Sequence, residues 1–273
     1  MVRVGIISWT AAYGNAAALA VGMRHFADVA TWYKYADEKG FEDNAKIRGP
    51  FPDCDCYVII GALSIGLLLE KYHKRRIAVI LTDSTYMMNA EKYNKIIARK
   101  GWQVFAMPDL AYLNGTKNIY YQPFVMPKVD KRKTNLVCHS PYCDKKEIQK
   151  GTTYISAVCT KNNLPLTIIK GKTWQETIRE KATHLICIDQ LFRGIGKSGL
   201  EAMLLDCVVL TGRKPAGNHL PPVVWTDKNN LSKDLLDVIF NGDLREDIIT
   251  RQRLWAEKNL NPEYAAGKIF EKL

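Results

Sequence analysis

Residues 188–212 read IDQLFRGIGKSGLEAMLLDCVVLTG, and the changes of pattern inside this stretch decide the fold. The apolar run that enters it has strand length and ends at Asp189, and Gly194 and Gly196 then form a loop. From about residue 198 to 205 the apolar positions recur at helical spacing, and residues 208–211 are again a short apolar run. Strand, glycine loop, helix and strand in that order make the βαβ unit of a parallel sheet.

The same alternation continues in both directions. Upstream of residue 126, strands are expected at 2–9, 56–60, 77–82, 103–107 and 118–123, with helices at 15–26, 64–72 and 89–100. Residues 127–134, with Pro127 and the cations Lys128, Lys131, Arg132 and Lys133, break the pattern and read as a linker. Strands then recur at 135–139, 166–169, 184–189 and 208–211, separated by helices at 153–161, 173–181 and 198–205. Residues 231–273 hold no strand candidate and read as amphipathic helix broken near Gly242 and at Pro262. The expectation is an α/β chain of two Rossmann-like domains, 1–126 and 135–260, with parallel sheets facing a central cleft and residues 261–273 as a C-terminal helix.

Composition narrows the function. Of the 273 residues 47% are hydrophobic and 25% charged, far from the signature of disorder. No window approaches the roughly 18 uninterrupted apolar residues of a membrane span, and the opening MVRVGIISW reads as a strand, so a cytoplasmic protein is expected. The seven cysteines form no CxxC pair and are expected to be free thiols, with Cys187 and Cys207 in the core. A formal charge of +11 favours partners that carry phosphate: nucleic acid, an anionic membrane surface or a nucleotide diphosphate.

The residues of 188–212 are those of an anion site. Glycines let the backbone approach a ligand, and the exposed N–H groups and positive end of a helix attract phosphate. Glu201, one turn in, is placed to accept hydrogen bonds from a ribose diol, an ionised carboxylate being a pure acceptor. The competing reading is an ordinary capped helix, with Ser198 as the cap and Glu201 complementing the dipole.

Gly196, Ser198, Glu201, Ala202 and Met203, followed by the strand at 208–210, resemble the nucleotide-sugar motif of retaining GT-B glycosyltransferases, which has two glutamates with seven residues between them. Upstream, VCHSPYCDKKEIQKGTTYISAV at 137–158 resembles the start of the same domain, with Lys150, Gly151 and Thr152 at the family's Lys-Gly position. The resemblance covers roughly residues 134 to 260. It implies that Glu201 holds the nucleotide ribose and that Lys150 faces the donor diphosphate, with Gly194, Gly196, Lys197 and Ser198 lining the nucleotide-sugar site. It also implies a nucleotide-diphosphate sugar donor, UDP-sugar first, with no metal or other cofactor required. Arg193 stands where the family has its first glutamate, so the sugar is left open. Arg193 is expected to clamp the diphosphate with its fork of donors, and Asp189 to take over the sugar.

In the first domain Gly14 lies in a small-residue loop at a strand's carboxyl end, and Asp83 ends the strand at 77–82. Asp83 is similar in position to the acceptor-side acidic or histidine site of GT-B enzymes, including the DNA α-glucosyltransferases of T-even phages. The alternative is a turn cap. His139 ends a strand that should face the cleft and is included in the donor site; none of the histidines has metal-ligand spacing. Asp83, Lys150 and Arg193 are the expected catalytic residues. Lys71, Lys74, Arg75, Arg76, Lys131, Arg132 and Lys133 are the expected nucleic-acid contacts, for transfer to a 5-hydroxymethylated pyrimidine in DNA. Envelope saccharides, lipid-linked acceptors and an inactive nucleic-acid-binding module remain open alternatives.

Overall fold

The computed structural model describes residues 1–10, 15–35, 53–61, 64–65, 76–82, 86, 88–107, 110, 113–121, 123, 126–142, 150–214 and 220–273. The chain divides into two units, Met1–Val125 joined by Asn259–Leu273, and Met126–Lys258.

The first unit contains β1 (Arg3–Thr10), α1 (Asn15–Met23), β2 (Asp28–Tyr35), β3 (Cys56–Ile60), β4 (Arg76–Leu81), α2 (Ala90–Lys100) and β5 (Gln103–Ala106). The strands form a five-stranded parallel sheet in the order β2-β1-β3-β4-β5. Successive side chains of a strand point to opposite faces. Accordingly, Val4, Ile6, Val58, Ile60, Ala78 and Ile80 join one core with α1, while Ile7, Ile59, Val79 and Leu81 join the other with Ile97 of α2. Burial on both faces explains the unbroken apolar runs. β2 carries Asp28 and Lys34 and lies at the sheet edge, which hid it from the apolar pattern. Where a strand is expected at 118–123 there is one isolated bridge, Ala106 to Ile119.

The second unit contains β6 (Asn135–Tyr142), α3 (Thr152–Lys161), β7 (Leu166–Lys170), α4 (Trp174–Ala182), β8 (His184–Ile188), α5 (Lys197–Leu204), β9 (Val208–Thr211), β10 (Val224–Trp225), α6 (Leu231–Phe240) and α7 (Gly242–Asn259). Its parallel sheet has the order β10-β9-β8-β6-β7. Counted along each unit, both sheets have the doubly wound order 2-1-3-4-5, in which the chain reverses direction between the first and third strands. In the second unit that switch point lies between β6 and β8, which pair directly from Asn135 opposite His184 to His139 opposite Ile188.

The last helix, α8 (Pro262–Phe270), starts with Asn261, whose side chain accepts from the N–H groups of Glu263 and Tyr264. It packs on α1 and thereby belongs to the first unit. The contact is so close that a Cβ on Gly22 would stand 1.9 Å from the Pro262 carbonyl oxygen. Among the described residues no helix is long and apolar enough to cross a membrane, and six described cysteines are free and buried.

Candidate functional site

The carboxyl ends of β6 and β8 carry a row of polar side chains that are nearly or completely buried: His139, Ser140, Asp189 and Gln190. The carboxyl edge at a switch point is where doubly wound sheets hold ligands. Each of these groups has a definite task.

His139 is inaccessible to solvent. Its Nδ1–H donates to the Ile188 carbonyl oxygen at 2.7 Å, which leaves Nε2 to accept from the Thr152 hydroxyl at 2.8 Å. The ring therefore ties β6 to β8 and to the first residue of α3, and the expected ligand contact becomes a brace. Gly151, the cap of α3, has φ +81, a left-handed conformation open to glycine at little cost. A Cβ there would also meet Leu191 and Phe192 at 3.3 Å.

Lys150 bridges the switch point. Its ammonium donates to the Ser140 carbonyl oxygen at 2.9 Å and to Asp189 Oδ1 at 3.3 Å, with 16% of the side chain exposed. An ammonium has three donors, so these two bonds leave one. The other oxygen of Asp189 accepts from the Gly196 N–H at 2.6 Å. Fully buried, and with one bond to each oxygen, the Asp189 carboxylate orients the lysine and the glycine loop. Gln190 fixes the same loop by donating its amide to the Gly194 carbonyl. Arg193 is half-buried in that loop and has no ion-pair partner among the described residues.

The helix after the loop starts one residue earlier than the expected 198. Gly196 is the cap, α5 runs from Lys197, and neither α3 nor α5 has a side-chain cap hydrogen bond. Ser198 is thus inside the helix, and its hydroxyl accepts from Lys181 at 3.1 Å. By contrast α4 is closed by a capping box between Thr173 and Glu176.

Glu201 lies in the second turn of α5, 4% exposed. Its Oε2 accepts from the Lys181 ammonium at 2.9 Å and its Oε1 from the Trp174 indole N–H at 2.8 Å, with the Lys197 ammonium 3.7 Å from Oε1. Burial alone would push the carboxyl up; Lys181, Lys197 and the two hydrogen bonds outweigh it, so Glu201 is held below the usual carboxylate range. Lys181 has no accessible surface; its burial, the largest single influence, lowers its pKa, but the charge and hydrogen bond of Glu201 together with the Cys187 and Cys138 thiols outweigh it and raise the pKa. Lys197 also stands 5.9 Å from the Trp174 ring centroid.

The structure thus brings Lys150, Asp189, Gly194, Gly196, Lys197, Ser198 and Glu201 to one edge of one sheet, with His139 beneath and Arg193 in the intervening loop. Lys181 and Trp174 were missed from the sequence. Their signal was present: positions 174, 178, 181 and 182 share one helical stripe, which puts a lysine among Trp174, Ile178 and Ala182.

Gly14, Asp83, Lys71, Lys74 and Arg75 lie outside the described residues. The remaining expected nucleic-acid contacts have partners within the protein. Arg76 donates to the Leu273 carbonyl at 3.1 Å, Lys131 pairs with Asp206 at 3.0 Å and Arg132 with Asp130 at 2.6 Å. Lys133 is corrected to a structural role: its half-buried ammonium caps α4 and the end of α5 through the carbonyls of Ala182 at 3.0 Å and Leu205 at 2.6 Å.

No model of a known protein family matches the sequence, and no curated protein matches it. Solved structures do. A crystal structure of Anabaena Alr3699/HepE in complex with UDP-glucose is 9% identical with a TM-score of 0.69, covering 99% of each chain. The O-GlcNAc transferase of Thermobaculum terrenum is 10% identical with a TM-score of 0.58 over 99% of this chain and 66% of that one. The UDP-GlcNAc 2-epimerase of Methanocaldococcus jannaschii is 11% identical with a TM-score of 0.52 over 98% of each. At these identities the likeness establishes architecture, and the chain has the GT-B fold: two Rossmann-like α/β units, each built on a five-stranded parallel sheet.

Proposed function

We propose that the second unit binds a nucleotide-diphosphate sugar, UDP-sugar first, and that the protein is a glycosyltransferase moving the sugar to an acceptor hydroxyl. The observation that carries this reading is Lys150. Its ammonium is suspended at the switch point by Ser140 and Asp189, with one donor to spare, between two helix starts that lack side-chain caps. A diphosphate supplies what such a place lacks: acceptor oxygens for the lysine and the helix N–H groups, and negative charge for the dipoles.

In this reading Lys150, Arg193 and the start of α5 stabilise the charge that develops on the departing diphosphate. Glu201 accepts from the ribose diol with the lone pairs that Lys181 and Trp174 leave. Asp189, His139 and Gln190 hold the phosphate-facing groups in place. Resemblance to the retaining family favours retention at the anomeric carbon. The net charge of +11 favours an anionic acceptor, with 5-hydroxymethylated pyrimidine in DNA first to be tested. The ammonium of Lys133 is engaged by the Ala182 and Leu205 carbonyls, whereas the exposed contacts of Arg76, Lys131 and Arg132 leave those cations open to phosphate.

One GT-B neighbour is an epimerase, so fold alone does not choose the reaction. Incubation with UDP-glucose or UDP-N-acetylglucosamine should release UDP only when an acceptor is present, and the glycosylated product should carry the donor's anomeric configuration by NMR. Hydroxymethylated duplex DNA, oligosaccharide and lipid-linked saccharide are the acceptors to compare. Turnover with saccharide alone would refute the DNA assignment. A 2-epimer formed without acceptor would refute transfer itself.

A further inference from the structure

The most completely buried charge beside the site is one the proposed chemistry does not use. Lys181 ends the apolar stripe of α4 and has no accessible surface, yet its ammonium makes three contacts, all to α5. It donates to the Ser198 carbonyl at 3.2 Å, to the Ser198 hydroxyl at 3.1 Å and to Glu201 Oε2 at 2.9 Å. Trp174, two turns earlier on the same face of α4, donates to the other oxygen of Glu201. One helix therefore grips both oxygens of the carboxylate and the first turn of the helix that carries it. A lysine that served packing alone would leave a buried charge where a leucine would fit better, since replacing a buried ion pair by apolar groups is often neutral or stabilising.

We propose that Lys181 is a positioning residue of the donor site: it keeps Glu201 ionised and aimed at the ribose and fixes the phosphate-facing turn at Ser198. This rests on the donor-site reading above. Besides the pair itself, the charged group that faces it is Lys197 of α5, while Trp174 of α4 donates its neutral N–H to the carboxylate. The thiols of Cys187 in β8, Cys138 in β6 and Cys207 before β9 also interact electrostatically with the Lys181 ammonium. Without Lys181, Glu201 would be a buried carboxyl with only Lys197 as a neighbouring cation among the described residues, and its pKa would rise. Donor affinity would then become pH-dependent where wild type is not, an effect that loosened packing does not produce.

The test is calorimetric titration with UDP at pH 6 and pH 8, each variant divided by wild type so that the ionisation of UDP itself cancels. For K181M the ratio of dissociation constants should rise from pH 8 to pH 6, by up to about tenfold, as the Glu201 carboxyl takes up a proton. E201Q should bind weakly with a ratio independent of pH. A K181M protein that matches wild type at both pH values, or is weakened equally at both, overturns the proposal. Should K181M fail to fold, K181M/E201Q removes both charges and carries the test. It should bind UDP as weakly as E201Q, and wild-type affinity in the double variant overturns the proposal. Absence of UDP binding by wild type would instead refute the donor-site reading, and this inference with it.

Discussion

Lys150 and Asp189 are coupled by geometry, so their substitutions should separate binding from folding. K150M removes the proposed diphosphate contact and also strands a fully buried carboxylate beside the Gly196 N–H. Breaking a buried pair from one side costs about 3–5 kcal/mol. K150M should therefore lose both stability and turnover, by about 100-fold or more. K150M/D189N should recover much of the stability in urea unfolding with no recovery of turnover; recovery of both would deny Lys150 its role. His184 gives a second residue-level expectation. Burial lowers its pKa below the ordinary 6.5, with the Glu180 carbonyl on Nδ1 opposing the shift in part. The folded protein resists a proton that the unfolded chain accepts below pH 6.5. Stability from this group is complete above that pH and falls as the pH drops towards the folded value, with a slope of at most about 1.4 kcal/mol per pH unit. Urea unfolding of wild type against H184Q between pH 7.5 and 5.5 should show this difference, and parallel profiles would contradict it. Lys150, Glu201 and the glycines were legible in the sequence because their chemistry is local: a lysine before glycine, a carboxylate one turn into a helix. The braces were not. His139 and Asp189 read as ligand contacts, and only the pairing of β6 with β8 reveals the bonds that tie them to Ile188 and to the Gly196 loop.

Among elements, the interior strands announced themselves because parallel strands covered on both faces are apolar throughout. The edge strands β2 and β10 did not, the first for its charged residues and the second for its two-residue length. The breaks near Gly242 and at Pro262 were visible in the tail, whereas the return of α8 to the first unit was not, since nothing in its own composition names its partner. That docking depends on the bare face of Gly22. G22A would place a Cβ 1.9 Å from the Pro262 carbonyl oxygen and 2.7 Å from the Glu263 nitrogen, both backbone atoms. Alanine gains about 1 kcal/mol of helix propensity over glycine, but overpacking against backbone costs typically 1–3 kcal/mol or more. G22A should accordingly be destabilised, with faster amide exchange in both α1 and α8. Exchange that is faster in α1 alone would mean the two helices are not held as one packed pair.

At the scale of the molecule the chain repeats one topology twice. The sequence made the doubling visible through two successive strand–helix alternations, and the net charge of +11 favours an anionic partner without identifying it. What ties charge to a place is the switch point of the second sheet. The most direct test is amide NMR of the protein titrated with UDP. The largest shifts are expected at Gly151, Thr152, Gly196, Lys197 and Ser198, the starts of α3 and α5, and K150M should diminish them. Shifts confined to residues of the first unit, or none at millimolar UDP, would contradict it.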